Sequence, residues 1–149
     1  MKKVIIAADH AGYEVKERIK NELGGEYEFI DLGTNSTESV DYPKYGEKVA
    51  RQVVVTPNGQ GVLVCGSGVG ISIAANKVLG ARCVLAFSKE VAQGAREHND
   101  ANIVAVAGRM KMMDDPVEIV RTFLQTDFSH EERHERRVKQ MMEIEKNNS

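Results

Sequence analysis

The stretch GVLVCGSGVG at residues 61–70 joins a run of apolar residues directly to a glycine-rich loop. A short run without polar residues is typical of a strand that is covered on both faces. Glycines between such a strand and a following apolar pattern allow a tight turn and a close approach of the backbone to a ligand. The stretch therefore predicts a strand over Gly61 to Cys65, a loop, and a helix that ends at Gly80.

The same alternation of strand and helix extends in both directions from this stretch. Further strands are predicted at residues 4–8, 28–32, 82–87 and 103–107, each followed by apolar residues at helical spacing. Ser88 and Asp115 fit helix N-caps. These units predict a single α/β domain over residues 1–149, a five-stranded parallel sheet with helices on both faces. We expect the flavodoxin-like strand order 2-1-3-4-5.

A last helix is predicted from residue 129 onward, where Ser129 and Glu132 fit a capping box. Its apolar residues, all between 138 and 144, are too sparse to belong to the core of their own domain. Residues 129–149 therefore either extend onto a partner subunit as a dimer contact or form a solvated tail.

The composition excludes several classes of protein. The chain is 42% hydrophobic and 28% charged, as in ordinary globular domains. Its 22 acidic residues outnumber 20 basic ones and it has no Trp, which argues against nucleic-acid binding. The apolar runs are too short for a membrane span or a signal peptide. Two cysteines without CxxC spacing fit a reducing compartment, so we expect a cytoplasmic protein.

In an open parallel sheet, ligands bind beyond the carboxyl ends of the strands, where the strand order reverses. That rule selects Asp9 and His10 after the first strand and residues 65–70 after the third. The loop has GxGxG spacing, and it lacks both the last glycine of GxGxxG and the lysine of a P-loop. It is either an anion-binding loop or only a tight turn.

Several residues with reactive side chains carry two interpretations each. Cys65 precedes loop amides that would stabilise a thiolate, although a free cysteine is more often a small buried hydrophobe, as fits Cys83. Asp9 and His10 could hold sugar hydroxyls or a phosphate, or could cap the next helix. His98, near a helix end, could act as acid and base near neutral pH or could interact only with the helix dipole.

The last helix contains His130-Glu131-Glu132-Arg133-His134, which satisfies the H-E-x-x-H pattern of zinc peptidases. We reject a metal site because the surrounding positions are charged and no third ligand is evident. Arg133 and Arg137, four residues apart, could instead grip a phosphate. The alternative is a solvated face with ion pairs such as Glu132 with Arg136.

Seven motifs occur in order over nearly the whole chain. They are Ala8-Asp9-His10-Ala11-Gly12, Asp41-Tyr42-Pro43, Cys65-Gly66-Ser67-Gly68-Val69-Gly70, Ala74-Ala75-Asn76-Lys77, His98-Asn99-Asp100, Gly108-Arg109, and Arg133-His134 through Arg137-Val138. Together they resemble the type B ribose-5-phosphate isomerases, a family that includes allose-6-phosphate and galactose-6-phosphate isomerases.

The resemblance implies an aldose–ketose isomerase of the pentose phosphate pathway that acts through an enediolate and uses neither metal nor cofactor. Cys65 matches the base that moves a proton between C1 and C2. Ser67 matches a hydroxyl that shuttles the oxygen protons, where the family more often has Thr. Some members use a glutamate just after the loop instead, but that position is Ile71 here.

The remaining site residues follow from the same resemblance. His98 matches the residue that opens the sugar ring, and Asp9 and Asn99 match its hydroxyl contacts. The phosphate grip matches His10, Arg109, Arg133 and Arg137, and the other expected substrate contacts are Tyr42, Gly66, Gly68 and Gly70. The family forms dimers with shared sites, so we expect a homodimer or a tetramer. A hexose 6-phosphate isomerase and a non-catalytic sugar-phosphate sensor are the alternatives.

Overall fold

The structure, a computed structural model, describes residues 1–148. Five parallel strands form one sheet, and they are β1 (Lys2–Ala8), β2 (Tyr27–Asp31), β3 (Gly61–Cys65), β4 (Cys83–Leu85) and β5 (Ile103–Ala107). The helices are α1 (Tyr13–Leu23), α2 (Tyr42–Val54), α3 (Val69–Ala75), α4 (Lys89–Asn99), α5 (Pro116–Gln125) and α6 (Glu132–Asn147). The predicted α/β class is confirmed. Within residues 1–148, none of these helices is both long and apolar enough to span a membrane.

The strand order is β2-β1-β3-β5-β4, so the predicted order 2-1-3-4-5 is wrong at one edge. All five residues of β5 are buried and apolar, which suits a strand with neighbours on both sides. β4 has only three residues, each partly exposed, and therefore lies at the sheet edge. The order still reverses between β1 and β3, where the sequence places the ligand crevice.

Both faces of the sheet are covered by apolar side chains. On one face, Val4 and Ile6 of β1 pack with Phe123 and other residues from α1, α4 and α5. On the other face, Ile5 packs with Val49 and further residues from α2 and α3. This alternation along β1 explains why the strand has no polar position between Val4 and Ala8. In contrast to the other helices, α6 buries a single residue, His134.

Two of the predicted N-caps are confirmed and one is wrong. The side chains of Ser88 and Asp115 accept hydrogen bonds from the backbone of α4 and α5. Ser129, however, does not cap α6, which begins at Glu132 after Glu131. The Ser129 hydroxyl is instead bonded to the backbone nitrogen of Glu131 and to the ring of His134.

Glycines allow the loops at the carboxyl ends of three strands to pack backbone against backbone. A Cβ on Gly12 would lie 2.4 Å from the carbonyl oxygen of Val64, and one on Gly108 would lie 2.4 Å from that of Ala11. No other residue fits at either position. The loop after β1 is therefore held directly against the ends of β3 and β5.

A buried ion pair next to β2 supports the carboxyl ends of the strands. Lys16 has a fully buried side chain, and its ammonium lies 2.6 Å from the carboxylate of Asp31. Burial would raise the pKa of Asp31, but hydrogen bonds from Lys16 and Lys20 hold that pKa below its usual value. Asp31 also accepts from the backbone nitrogen of Gly33, and the Gly33 carbonyl accepts from Ala8, the residue before Asp9.

We predict that Asp31→Ala lowers the free energy of unfolding by about 3 kcal/mol, because it leaves the buried Lys16 ammonium without its main partner. The pKa of Asp31 is depressed in the folded state, so its contribution is present above the unfolded pKa and is lost as the pH falls through the folded pKa. Urea unfolding at several pH values measures both effects. As a control, Glu47→Ala removes an exposed pair with Arg51 and changes stability by less than about 1 kcal/mol. Equal losses in both variants would contradict the prediction.

Candidate functional site

Asp9 and His10 leave the end of β1 and turn into the crevice between β1 and β3. Asp9 is buried, and its carboxylate accepts a hydrogen bond of 3.0 Å from the backbone nitrogen of Gly12. Its own backbone nitrogen donates to the carbonyl of Val64, one residue before Cys65. Nδ1 of His10 lies 3.1 Å from both the backbone nitrogen and the carbonyl oxygen of Val40, so the backbone of Val40 fixes the ring at this nitrogen.

Cys65 ends β3 with its side chain buried, since only 4% of the residue is exposed. Its carbonyl accepts from the backbone nitrogen of Gly108, and the carbonyl of Gly66 accepts from those of Arg109 and Met110. These bonds hold the segment after β5 against the glycine loop. The exposed side chain of Arg109 is thereby brought to the same edge as Cys65.

The glycine loop has a conformation that other residues cannot adopt. Gly68 has φ +78°, and a Cβ there would lie 2.6 Å from the side chain of Leu85. A Cβ on Gly70 would lie 2.5 Å from the ring of Tyr42, which covers this part of the loop. Ser67 accepts a hydrogen bond of 3.1 Å from the backbone nitrogen of Val69. The loop is thus fixed by packing on both sides, which is more than a tight turn requires.

Two cavities flank this edge. One, of about 370 Å³, is lined by His10 and Arg109, two of the side chains predicted to hold a phosphate. The other, of about 480 Å³, adjoins Ser67 and is otherwise mostly apolar, with Phe87 and Met113 among its exposed lining residues. A larger cavity of about 540 Å³ lies at the edge where the strands begin. That third cavity contains none of the predicted site residues.

His98 and Asn99 lie at the opposite edge of the sheet from Cys65. They end α4, and three residues later Asn102 accepts a hydrogen bond from Gly61, the first residue of β3. Cys65 is the last residue of that strand, so about 13 Å of extended chain separates Cys65 from Gly61 and its partner Asn102. Within one chain, the structure does not bring His98 or Asn99 to the thiol.

The two arginines of α6 are on the side of His98. The rings of His98 and His134 have centroids 4.7 Å apart, and Ser129 donates a backbone hydrogen bond to Glu97 of α4. Arg133 and Arg137 therefore project near the end of α4, and both are exposed. Arg137 makes no hydrogen bond or ion pair with any residue of the described range 1–148.

The predicted site residues thus form two groups. The carboxyl edge holds Asp9, His10, Tyr42, Cys65, Gly66, Ser67, Gly68, Gly70 and Arg109. The end of α4 and the start of α6 hold His98, Asn99, Arg133 and Arg137.

The geometry of a zinc-peptidase helix is not formed at the H-E-x-x-H pattern. His130 precedes α6 with φ +58°, and its ring packs against Phe128. Both ring nitrogens of His134 face partners of its own chain, Ser129 and Arg133. Among residues 1–148, no three His, Cys, Asp or Glu side chains are grouped so that they could hold a metal ion.

Two buried groups near the site were not singled out for the roles they have in the structure. Lys16 is one polar position in an amphipathic helix, and His134 occurs only in the rejected H-E-x-x-H pattern and in the last of the seven motifs. No sequence signal distinguishes a buried lysine or histidine from an exposed one on a mixed helix. Cys83 packs against the core, and burial raises the pKa of its thiol to about 12, so it stays protonated near neutral pH.

Comparison with known proteins gives matches over nearly the whole chain. The profile of a family described as Ribose/Galactose Isomerase matches residues 4–141. Ribose-5-phosphate isomerase B of Mycobacterium leprae is 42% identical over 97% of this chain and 90% of that protein. The solved ribose-5-phosphate isomerase B of Clostridium thermocellum has a TM-score of 0.92 and 45% identity, with 99% of each chain covered. The Mycoplasma genitalium ribose-5-phosphate isomerase B, solved with bound ribulose-5-phosphate, has a TM-score of 0.89 and 35% identity, covering 97% and 96%.

Proposed function

The chain belongs to the ribose/galactose isomerase family, and from this premise we propose that it is a ribose-5-phosphate isomerase. It interconverts ribose 5-phosphate and ribulose 5-phosphate, a reaction of the pentose phosphate pathway. The observation that supports this most directly is the buried thiol of Cys65 at the start of a rigid glycine loop, beside the Asp9 segment.

The chemistry follows from the groups at the carboxyl edge. The thiolate of Cys65 removes the proton from C2 of the open-chain aldose, and the electron pair moves onto the carbonyl oxygen to give an enediolate. The same thiol returns the proton to C1, which gives the ketose. Meanwhile the hydroxyl of Ser67 carries a proton from O2 to O1. Backbone amides of the glycine loop stabilise the negative charge of the intermediate, and burial keeps water from the thiolate.

The other half of the site must come from a second chain. The end of the sheet where the strands begin carries His98 for opening the sugar ring and Asn99 for contacts with the hydroxyls. Arg133 and Arg137, which would bind the phosphate, lie at the same end. One substrate molecule cannot reach both edges of one chain, because about 13 Å of strand lies between them. We infer a homodimer in which each site combines the carboxyl edge of one chain with the α4–α6 end of its partner.

Exposed apolar side chains support this dimer. Val69, Phe87 and Met113 surround the glycine loop, and each exposes 42% or more of its surface. Such a rim beside a polar site is typical of an interface between subunits. Further exposed apolar residues, Met141 and Ile144, lie on α6.

The C-terminal helix is more than a solvated tail. The carboxylate of Glu145 accepts a hydrogen bond of 2.8 Å from the backbone nitrogen of Gly80, and Arg82 contacts the sulfur of Met142. Its own chain thus fixes the direction of α6. In the proposal, residues 1–149 form one isomerase domain, and the segment 129–149 contributes its exposed apolar side to the dimer.

We predict that Cys65→Ala lowers kcat by about a thousandfold or more, because the general base is lost, while ribose 5-phosphate still binds. The assay follows interconversion of ribose 5-phosphate and ribulose 5-phosphate in the presence of EDTA, with allose 6-phosphate and galactose 6-phosphate as comparison substrates. Cys83→Ala is the matched control and keeps activity, since that protonated thiol only packs against the core. Near-normal turnover by the Cys65 variant would refute the proposed base.

We predict that Arg137→Ala raises KM about tenfold through loss of a charged hydrogen bond to phosphate. The dimer stays intact, because this exposed side chain bonds to no residue within 1–148. Arg136→Ala is the matched control on the same helix, where the guanidinium is exposed and paired with Glu132. Steady-state kinetics and sedimentation measure the two properties. Equal KM values for both variants would exclude Arg137 from the phosphate site.

A further inference from the structure

His134 is a buried histidine that the proposed reaction leaves without a role. It lies in the first turn of α6 with 5% of its surface exposed. The polar and charged groups that face it are Ser129, Glu131 and Arg133 from its own segment and His98 from α4.

The hydrogen bonds of His134 define where its proton lies. Nε of Arg133 lies 3.3 Å from Nε2 of His134 and can only donate, so Nε2 accepts and carries no proton. The proton of the neutral ring is therefore on Nδ1, which donates over 2.6 Å to the hydroxyl oxygen of Ser129. That oxygen also accepts from the backbone nitrogen of Glu131. The surroundings thus select one tautomer.

The same ring is in contact with His98. The two centroids are 4.7 Å apart and the rings are tilted by 43°. The backbone bond from Ser129 to Glu97 fixes the start of the α6 segment on the end of α4. His134 consequently touches two residues of the proposed mechanism, one by ring contact and one through a ring nitrogen.

We propose that His134 is a positioning residue that holds the imidazole of His98 for ring opening and the guanidinium of Arg133 for phosphate binding. The inference rests on the proposed function and deepens it. Nε of Arg133 is held by His134, and one outer nitrogen lies 3.5 Å from the carboxylate of Glu131 in an exposed ion pair. A bound phosphate would replace this exposed pair and would accept from both outer nitrogens. Fixing the side chain in advance reduces the entropy lost when the phosphate binds.

The arrangement requires a neutral ring. A second proton on Nε2 would convert the acceptor for Arg133 into a donor and would place a cation between Arg133 and His98.

Two substitutions of His134 separate its contacts. His134→Gln keeps an acceptor near Nε2 but removes the ring, so kcat for ribose 5-phosphate falls about fivefold with little change in KM. His134→Phe keeps the ring but removes the acceptor, so KM rises about tenfold with little change in kcat. The same substitutions at His130, which is exposed, serve as matched controls and leave both constants unchanged.

A third comparison leaves His134 in place. Ser129→Ala removes the acceptor of the Nδ1 proton, which allows the other tautomer and raises KM, whereas Ser129→Thr restores the hydroxyl and the wild-type KM. Ribulose 5-phosphate has no ring to open. The rate at which solvent deuterium exchanges into its C1 therefore falls less in His134→Gln than does the net turnover of ribose 5-phosphate.

The outcomes distinguish this inference from the proposed function. An inactive wild-type protein refutes the function. With an active wild type, parallel losses of kcat and KM in both His134 variants, or no change in either, overturn the positioning role. A long-range ¹H–¹⁵N spectrum gives a test that does not need activity. A neutral ring with its proton on Nδ1 supports the proposal, and a proton on Nε2 at neutral pH overturns it.

Discussion

The length of strand β3 is the constraint on which the arrangement of this protein depends. In a parallel α/β sheet every helix returns the chain to the edge where strands begin, so α4 ends at the start of β3 and not beside Cys65. The five residues of the strand place about 13 Å of extended chain between Gly61, which bonds to Asn102 just after α4, and Cys65. The proposed reaction uses both Cys65 and His98 and therefore needs a second chain, and the exposed apolar rim around the glycine loop is the surface that the proposed homodimer would cover.

Each half of the proposed site is made rigid by its own chain before any partner binds. At the carboxyl edge, Gly12 and Gly108 allow direct backbone packing, and the buried pair of Lys16 with Asp31 anchors the segment that precedes Asp9. At the other end, His134 joins α4 to α6. Because each half is held by contacts within its own chain, few side chains would have to be ordered when the proposed homodimer forms, and the reacting groups would be positioned accurately.

The sequence predicted the features that depend on local pattern. Strands Gly61–Cys65 and Ile103–Ala107 have the predicted bounds, because each is a buried apolar run. The exchange of β4 and β5 was not predicted, since apolar content alone does not say which strand is short enough to be an edge. The position of His98 at the far edge follows from chain direction and was overlooked. Burial of His134 depends on how α6 packs on α4, which a local pattern does not contain.

The most direct test of the shared site is complementation between two inactive chains. Cys65→Ala and His98→Asn chains are co-expressed with different tags, and the mixed dimer is isolated. In that dimer one site carries both defects and the other carries none. The account predicts that the mixed dimer has about half the wild-type activity, since one of two sites of a symmetric dimer is restored. Activity no higher than that of the two parent variants would show that both residues act within one chain.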